Sequence, residues 1–252
     1  MPLHVLGPGD RTADSITLVL LHHAGGSALS YAPLLPHLPR AWRVLGADLP
    51  GRLLDRDPAR CRTVHDAVRH LSTELRPELS GPYALFGHSM GALLGYELAR
   101  TLEDEGNRPR WLGVSGSPAP ADCGGERAAE RRRDHVGHHH AVSPRRPDGA
   151  AVPAALERRI ARTVQHDLSL LDDYEYAPAP PLRTPVTVFG AVDDELAPTR
   201  LLRRWSAYSH APAARHLWPG GHFYLFDRAE EVAARLVGGC RAQPGVTPPR
   251  SP

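Results

Sequence analysis

Residues 87–91 read Gly-His-Ser-Met-Gly and match the Gly-x-Ser-x-Gly pattern of a serine nucleophile. An apolar run, 83–86, precedes the pattern and a helical pattern follows it, so the sequence predicts a strand, a sharp turn and a helix. Such a turn places the Ser89 hydroxyl above the sheet edge and at a helix N-terminus, where partial positive charge favours a developing anion. An incidental turn rich in Gly and Ser would not require these flanking elements. We therefore expect Ser89 to be a catalytic nucleophile.

A serine hydroxyl needs a base to accept its proton, and in this motif the base is a histidine that follows an acid along the chain. His222 is the candidate, because 219–223 reads Pro-Gly-Gly-His-Phe directly after a predicted strand. Glycines there allow a tight loop that can bring the ring over the sheet edge. His210 and His216 are competitors, but the first lies at a predicted helix end and the second inside a predicted strand.

The acid that orients the imidazole should follow the preceding predicted strand. The loop 190–195 reads Gly-Ala-Val-Asp-Asp-Glu. We expect Asp193 to orient His222 and to stabilise its charged form. Asp194 is the alternative. The aspartate that is not used would be a solvated carboxylate or a cap for the helix near Thr199.

A tetrahedral oxyanion needs two hydrogen-bond donors. The backbone N–H of Met90, which follows the nucleophile, is expected to be one, and the second is expected in the loop after the first predicted strand. That loop, 22–26, reads His-His-Ala-Gly-Gly, and its glycines let backbone amides approach a ligand closely. We assign Ala24 as the second donor, although the two glycines alone are also consistent with a simple turn.

Elements that alternate along the chain must position these residues. Short continuous apolar runs predict buried parallel strands, and amphipathic stretches between them predict helices, which together favour an α/β fold with a mostly parallel sheet covered on both faces. The predicted strands are 16–21, 43–47, 83–87, 111–115, 185–189 and 214–218. The predicted helices are 64–79, 92–102, 155–172, 199–208 and 228–237.

One region interrupts this alternation. Residues 118–153 contain few core-forming side chains, which favours a helical insertion or a lid over a core element. We therefore expect one domain over 1–242 with a lid insertion at about 119–177. The tail 243–252 holds four prolines and is expected to be disordered.

Composition excludes several classes of function. The 252 residues carry 30 basic and 28 acidic side chains, a formal charge of +2, which is too small to indicate nucleic-acid binding. No apolar run is long enough to cross a membrane, and no signal peptide is recognised, so a cytoplasmic protein is expected. Three cysteines without metal or redox spacing indicate reduced thiols. Four histidines at 135 and 138–140 lack the carboxylate or cysteine pattern of a metal site, so no metal is expected.

The chain resembles the stand-alone type II thioesterases that serve polyketide and non-ribosomal peptide synthases, over roughly residues 18–237. The matching segments follow the predicted strands or open the next helix: 23–27 (His-Ala-Gly-Gly-Ser), 49–52 (Leu-Pro-Gly-Arg), 85–92 (Leu-Phe-Gly-His-Ser-Met-Gly-Ala), 96–100 (Tyr-Glu-Leu-Ala-Arg), 115–120 (Ser-Gly-Ser-Pro-Ala-Pro), 180–182 (Pro-Pro-Leu) and 219–223 (Pro-Gly-Gly-His-Phe). Three features depart from the family. His22 replaces the usual proline, the Arg-x-Asp of the last lid helix is Gln-His-Asp at 165–167, and 124–151 is unlike the usual lid.

The resemblance implies an α/β-hydrolase fold and hydrolysis of acyl or aminoacyl thioesters on the phosphopantetheine arm of an acyl or peptidyl carrier protein. It implies a housekeeping role that removes aberrant groups from a synthase, and the chemistry needs no cofactor. Dedicated product release, a general esterase and a non-catalytic carrier-binding protein remain alternatives. Arginine clusters at 131–133, 145–146 and 203–204 either steer an acidic carrier protein or form a solvated surface.

Overall fold

The protein is described by a computed structural model that covers residues 3–9, 15–52, 61–139 and 154–242, without the side chains of 134–139, 154 and 156. Its centre is a seven-stranded sheet in the order β1-β3-β2-β4-β5-β6-β7. β1 pairs antiparallel with β3, and the other neighbours pair in parallel. The strands are β1 (Leu3–Pro8), β2 (Thr17–Leu21), β3 (Arg43–Ala47), β4 (Tyr83–His88), β5 (Trp111–Ser115), β6 (Val186–Ala191) and β7 (Ala214–Trp218).

Seven α-helices and several 3-10 segments connect the strands in the described part of the chain. The helices are α1 (Val64–Leu75), α2 (Met90–Asp104), α3 (Glu126–His139), α4 (Ala154–Asp172), α5 (Thr199–Leu202), α6 (Tyr224–Asp227) and α7 (Ala229–Arg241). The longest 3-10 segment, Ala28–His37, follows β2. The mostly parallel α/β prediction is therefore confirmed, and the six predicted strands all form.

The five inner strands, β2 to β6, are buried on both faces, which explains their continuous apolar runs. In β2, Leu18 and Leu20 pack into a core with α7 and the segment Ala28–His37, whereas Val19 and Leu21 pack into a second core with α1 and α2. Successive side chains of a strand point to opposite faces, so one short run supplies both cores. No helix within the described ranges is long and apolar enough to span a membrane.

The interruption of the strand–helix alternation corresponds to α3 and α4, which lie between β5 and β6. Tyr174, just after α4, donates to the carboxylate of Glu97 on α2 at 2.6 Å, so this end of the insertion is attached to the sheet-covering layer. Residues 140–153, part of the predicted lid, and the predicted tail 243–252 lie outside the described residues. The lid boundaries and the single-domain division stay predictions.

Candidate active site

Ser89 occupies the sharp turn between β4 and α2. Among the residues that the structure describes, Ser89 is the only non-glycine residue with a positive φ, which is 56°. This strained backbone conformation is typical of functional turns. Gly87 and Gly91 are required by packing: a Cβ on Gly87 would collide with the carbonyl of Gly91, and one on Gly91 with the carbonyl of Leu21. The Ser89 amide donates to the carbonyl of Ser115 at 2.8 Å. Packing on β2 and β5 therefore holds the turn in place.

Ser89, His222 and Asp194 form a hydrogen-bonded chain at the carboxyl ends of the strands. Nε2 of His222 lies 3.0 Å from Oγ of Ser89, and Nδ1 lies 2.9 Å from Oδ2 of Asp194. In the tautomer with the proton on Nδ1, His222 donates to Asp194 and can accept the proton of Ser89. A hydroxyl, a base and a carboxylate that orients the base, in this order, can generate a serine nucleophile.

The expected pairing of Asp193 with His222 is corrected by this geometry. The side chain of Asp194 is buried, and its second oxygen accepts the amides of Leu196 and Ala197 at 3.0 Å each. Asp193 is exposed and its carboxylate accepts the amide of Gly220 at 3.2 Å. Only one of two adjacent carboxylates turns inward here, and the direction depends on the loop backbone rather than on residue type.

The competing histidines lie elsewhere. His210 is exposed, with its amide bonded to the carbonyl of Leu182. His216 is within β7, and its ring packs against Phe189 at 5.7 Å. Of the three candidate bases, His222 is the one whose ring reaches Ser89.

The two expected donors lie on neighbouring segments, Ala24 in the loop 22–27 and Met90 at the start of α2. Met90 is the first residue of α2, where an amide has no acceptor within the helix. Ala24 belongs to the loop 22–27, which follows β2 and lies beside the start of α2 because Gly91 packs on the carbonyls of Leu21 and His22. Within the described ranges, neither the Ala24 nor the Met90 amide donates to a protein acceptor. Both amides therefore remain candidates for the two oxyanion donors.

Two buried histidines shape the 22–27 loop. Nδ1 of His22 donates to the carbonyl of His23 at 2.8 Å, and its Nε2 accepts the amide of Leu49 at 3.2 Å, which ties this loop to the one after β3. Nδ1 of His23 donates to the carbonyl of Ala24 at 2.9 Å. Burial lowers the pKa of His22 well below its usual value and that of His23 to about 4, so both rings stay neutral near pH 7.

We expect the lowered pKa of His23 to make the protein less stable in mild acid. The unfolded chain binds this proton near pH 6.5 and the folded protein only near pH 4, so stability falls as the pH drops below about 6.5. At pH 5 this linkage costs about 2 kcal/mol. Urea unfolding of wild type and His23→Gln at pH 7 and pH 5 measures the effect: the variant should lose about 2 kcal/mol less between the two pH values. The assignment would be contradicted if wild type and His23→Gln lost the same stability between the two pH values. It would also be contradicted if the control His210→Gln, at an exposed position, lost less stability than wild type.

A small chamber of about 50 Å³ opens beside Ser89 and His222. Apolar side chains from α2, α4 and the loop after β6 line one part of it: Met90, Leu93, Leu168, Leu171 and Leu196. Asp122, Arg131 and Arg132 line another part. Cys123 also lines it, and burial raises the pKa of that thiol to about 12, so the thiol stays protonated and does not compete as a nucleophile. A larger cavity of about 600 Å³ is lined by the 22–27 loop, by Arg52 after β3 and by Ile160 and Thr163 of α4.

Three arginines of the predicted clusters make contacts with the start of the insertion. Arg131 donates to the carbonyl of Asp122, Arg132 to that of Cys123, and Arg204 to the carboxylate of Asp122. These contacts favour a structural role for the three side chains. The cluster 145–146 and His140 lie outside the described residues, as do the side chains of the other three histidines of the predicted group.

Sequence reasoning missed the support beneath His222. The His88 ring lies 4.9 Å from the His222 ring. Nδ1 of His88 is 2.9 Å from Oγ of Ser115, which is 2.8 Å from the hydroxyl of Tyr224. The position of His88 beside the nucleophile was the available signal, but the partners come from β5 and α6 and are distant in sequence.

Comparison with known proteins adds independent information. The model of the thioesterase domain family matches residues 16–238. A probable cadicidin biosynthesis thioesterase from Streptomyces griseus is 31% identical over 89% of this chain and 62% of its own length, so the chain spans less than two thirds of that relative. Thioesterase PikA5 from Streptomyces venezuelae is 30% identical over 87% of this chain and 79% of its own. Among solved structures, the type II thioesterase BorB from the borrelidin biosynthetic cluster is 29% identical, with a TM-score of 0.79 over 95% of this chain and 96% of BorB.

Proposed function

The chain belongs to the thioesterase domain family, and from this premise we propose that it hydrolyses acyl or aminoacyl thioesters on the phosphopantetheine arm of a carrier protein. In this proposal it removes aberrant groups from a polyketide or non-ribosomal peptide synthase. The observation that carries the proposal is the hydrogen-bonded chain of Ser89, His222 and Asp194 in a member of this family. Related proteins named for antibiotic pathways support the setting.

The first half of the reaction forms an acyl-enzyme. Nε2 of His222 accepts the Ser89 proton while Oγ attacks the thioester carbonyl, and Asp194 stabilises the imidazolium. The tetrahedral oxyanion accepts hydrogen bonds from the Ala24 and Met90 amides. The thiol, with a pKa of about 8.5 judged by cysteine, then leaves with the proton from His222. A thiol leaves more readily than an amine, so the demanding task is activation of the serine.

The second half releases the acid. Water enters, gives a proton to His222 and attacks the acyl-enzyme carbonyl. The same two amides stabilise the second oxyanion, and Ser89 regains its proton as it leaves. These steps use protein groups and water, and they do not use a metal or cofactor.

The size of the chamber beside Ser89 supports a short acyl substrate. The chamber volume of about 50 Å³ is small, which favours a short acyl chain over a long one. A growing polyketide or peptide chain is far larger. Short stalled groups are the substrates expected of a housekeeping enzyme, and this favours removal of aberrant groups over release of the finished product.

The test is release of acyl groups from a loaded carrier protein. We expect acetyl, propionyl and butyryl groups to be released at least about tenfold faster than an octanoyl group. The additional methylenes of the octanoyl group would not fit the chamber. Preference for one long chain would instead support dedicated product release. Equal rates on oxygen esters and carrier thioesters would support a general esterase, and binding without turnover a non-catalytic role.

Leu168 offers a direct test of the chamber, since it lines the chamber from α4 and is only partly buried. Leu168→Ala should enlarge the chamber and narrow the difference in rate between butyryl and octanoyl carriers by about tenfold. Leu170→Ala, in the same helix but packed into the core with α1 and α2, is the matched control and should keep the wild-type preference. An unchanged preference in Leu168→Ala would mean that acyl groups bind elsewhere.

A further inference from the structure

A buried ion pair lies behind the 22–27 loop, outside the chain of Ser89, His222 and Asp194. Asp167, on α4, is 0% exposed, and Arg52, after β3, is 6% exposed. Nη2 of Arg52 donates to Oδ2 of Asp167. Burial of a carboxylate is costly unless the charge is paired and hydrogen-bonded. Stability alone is a weak reason for such a pair, because apolar side chains of similar size would often serve as well.

Both members of the pair bind loop backbone, in the 22–27 loop and in the loop after β3. Oδ2 of Asp167 accepts the amide of Gly25 at 2.7 Å. Arg52 donates from Nε to the carbonyl of Gly26 at 3.4 Å and from Nη1 to the carbonyl of Pro50 at 2.8 Å. The pair therefore joins the insertion to the 22–27 loop and to the loop after β3.

The contact at Gly25 is tight as well as polar. Gly25 has a φ of +75°, and a Cβ at this position would collide with Cγ2 of Val164 on α4. Val164 and Asp167 are three residues apart and share one helix face. One turn of α4 thus packs against the Gly25 peptide and accepts its N–H, while Nδ1 of His23 donates to the carbonyl of the same peptide. The orientation of this peptide therefore depends on both α4 and His23.

We propose that Asp167 is a positioning residue that fixes the Ala24–Gly25 peptide and, through the shared Cα of Ala24, the neighbouring His23–Ala24 peptide, whose N–H donates to the oxyanion. Asp167 acts through the loop and does not touch the substrate. The inference rests on the proposed serine chemistry but not on the identity of the carrier. It also makes the insertion part of the catalytic arrangement, because displacement of α4 would misdirect a donor.

The test compares Asp167→Ala with Asp167→Asn on a p-nitrophenyl acetate substrate, which needs no carrier protein. Complete loss of one oxyanion donor costs about 10²–10³-fold in kcat. We expect Asp167→Ala to lower kcat by about 10–10²-fold with KM nearly unchanged. Asp167→Asn should retain most of the activity, because its carbonyl oxygen can still accept the Gly25 amide. If the alanine variant does not fold, Arg52→Lys takes its place, because a single ammonium keeps the charge but cannot reach the three partners of Nε, Nη1 and Nη2.

A second readout separates positioning from a structural defect. Affinity for a boronic acid that forms a tetrahedral adduct with Ser89 should fall by the same factor as kcat/KM, since both depend on the oxyanion donors. Glu103→Gln is the matched control. This buried carboxylate on α2 also accepts backbone amides, those of Arg183 and Thr184 before β6, at the opposite end of the sheet. Glu103→Gln should lower the melting temperature and leave both kcat/KM and the affinity for the boronic acid unchanged.

The proposal is overturned if Asp167→Ala folds with wild-type kcat, if only KM rises, or if Glu103→Gln loses kcat by the same factor. A wild type that cleaves the ester but no acylated carrier would contradict the proposed function and leave the positioning role intact. If wild type cleaves the acylated carriers and Asp167→Ala is as active as wild type on both substrates, the positioning role is contradicted and the proposed function stands.

Discussion

Ser89→Ala should lower the rate of carrier deacylation by about 10⁴-fold or more, since Ser89 is the hydroxyl that contacts Nε2 of His222 among the described residues. Cys123 also lines the chamber, but its raised pKa keeps the thiol protonated. The substitution removes one oxygen atom and leaves the turn intact, so the melting temperature should stay close to that of wild type. Release of radiolabelled acetate from a loaded carrier protein measures the effect.

The double variant Ser89→Ala/His222→Ala makes the test sharper. Residues that act as a unit are not additive, so the double variant should be about as slow as Ser89→Ala alone. A further loss of about 10²-fold or more in the double variant would show that His222 acts independently, for instance on a water molecule. A single variant that keeps a substantial rate would contradict the assignment of Ser89 as the nucleophile.

The sequence was sufficient to predict the six parallel strands and the positions of Ser89 and His222. Strands buried on both faces give continuous apolar runs, and the nucleophile turn requires glycines at fixed positions. β1 was missed because it is an antiparallel edge strand with Val5 exposed, and its pattern of apolar residues is weak. Part of the predicted helix 199–208 is a 3-10 segment, Arg203–Tyr208, a difference that periodicity does not resolve.

Contacts between distant parts of the chain could not be predicted in this way. The bond between Asp167 and the Gly25 amide joins positions 142 residues apart, and no local pattern indicates it. The same holds for the network of His88, Ser115 and Tyr224. The choice between Asp193 and Asp194 failed for another reason: adjacent residues of one type differ only in the direction that the backbone gives their side chains.

Asp194→Asn should lower kcat by about 10⁴-fold, and the hydrogen bonds around Asp194 explain why so small a change is so costly. One carboxylate oxygen accepts the Leu196 and Ala197 amides, and the other accepts Nδ1–H of His222. In the variant the single carbonyl oxygen is drawn to the two amides, which turns the NH₂ group toward His222. That group donates, so it favours the tautomer with the proton on Nε2, which cannot accept the proton of Ser89.

Asp193→Asn is the matched control, with the same chemical change one residue earlier. Asp193 is exposed and its carboxylate accepts only the Gly220 amide among its described contacts, so kcat should stay within about threefold of wild type. The measurement is steady-state kinetics of carrier deacylation for both variants, with melting curves to confirm folding. A tautomer defect lowers kcat and leaves KM nearly unchanged, because the arm and acyl group still bind. If Asp193→Asn instead lost the activity and Asp194→Asn kept it, the loop 190–195 would have to rearrange before catalysis, and the original expectation for Asp193 would be restored.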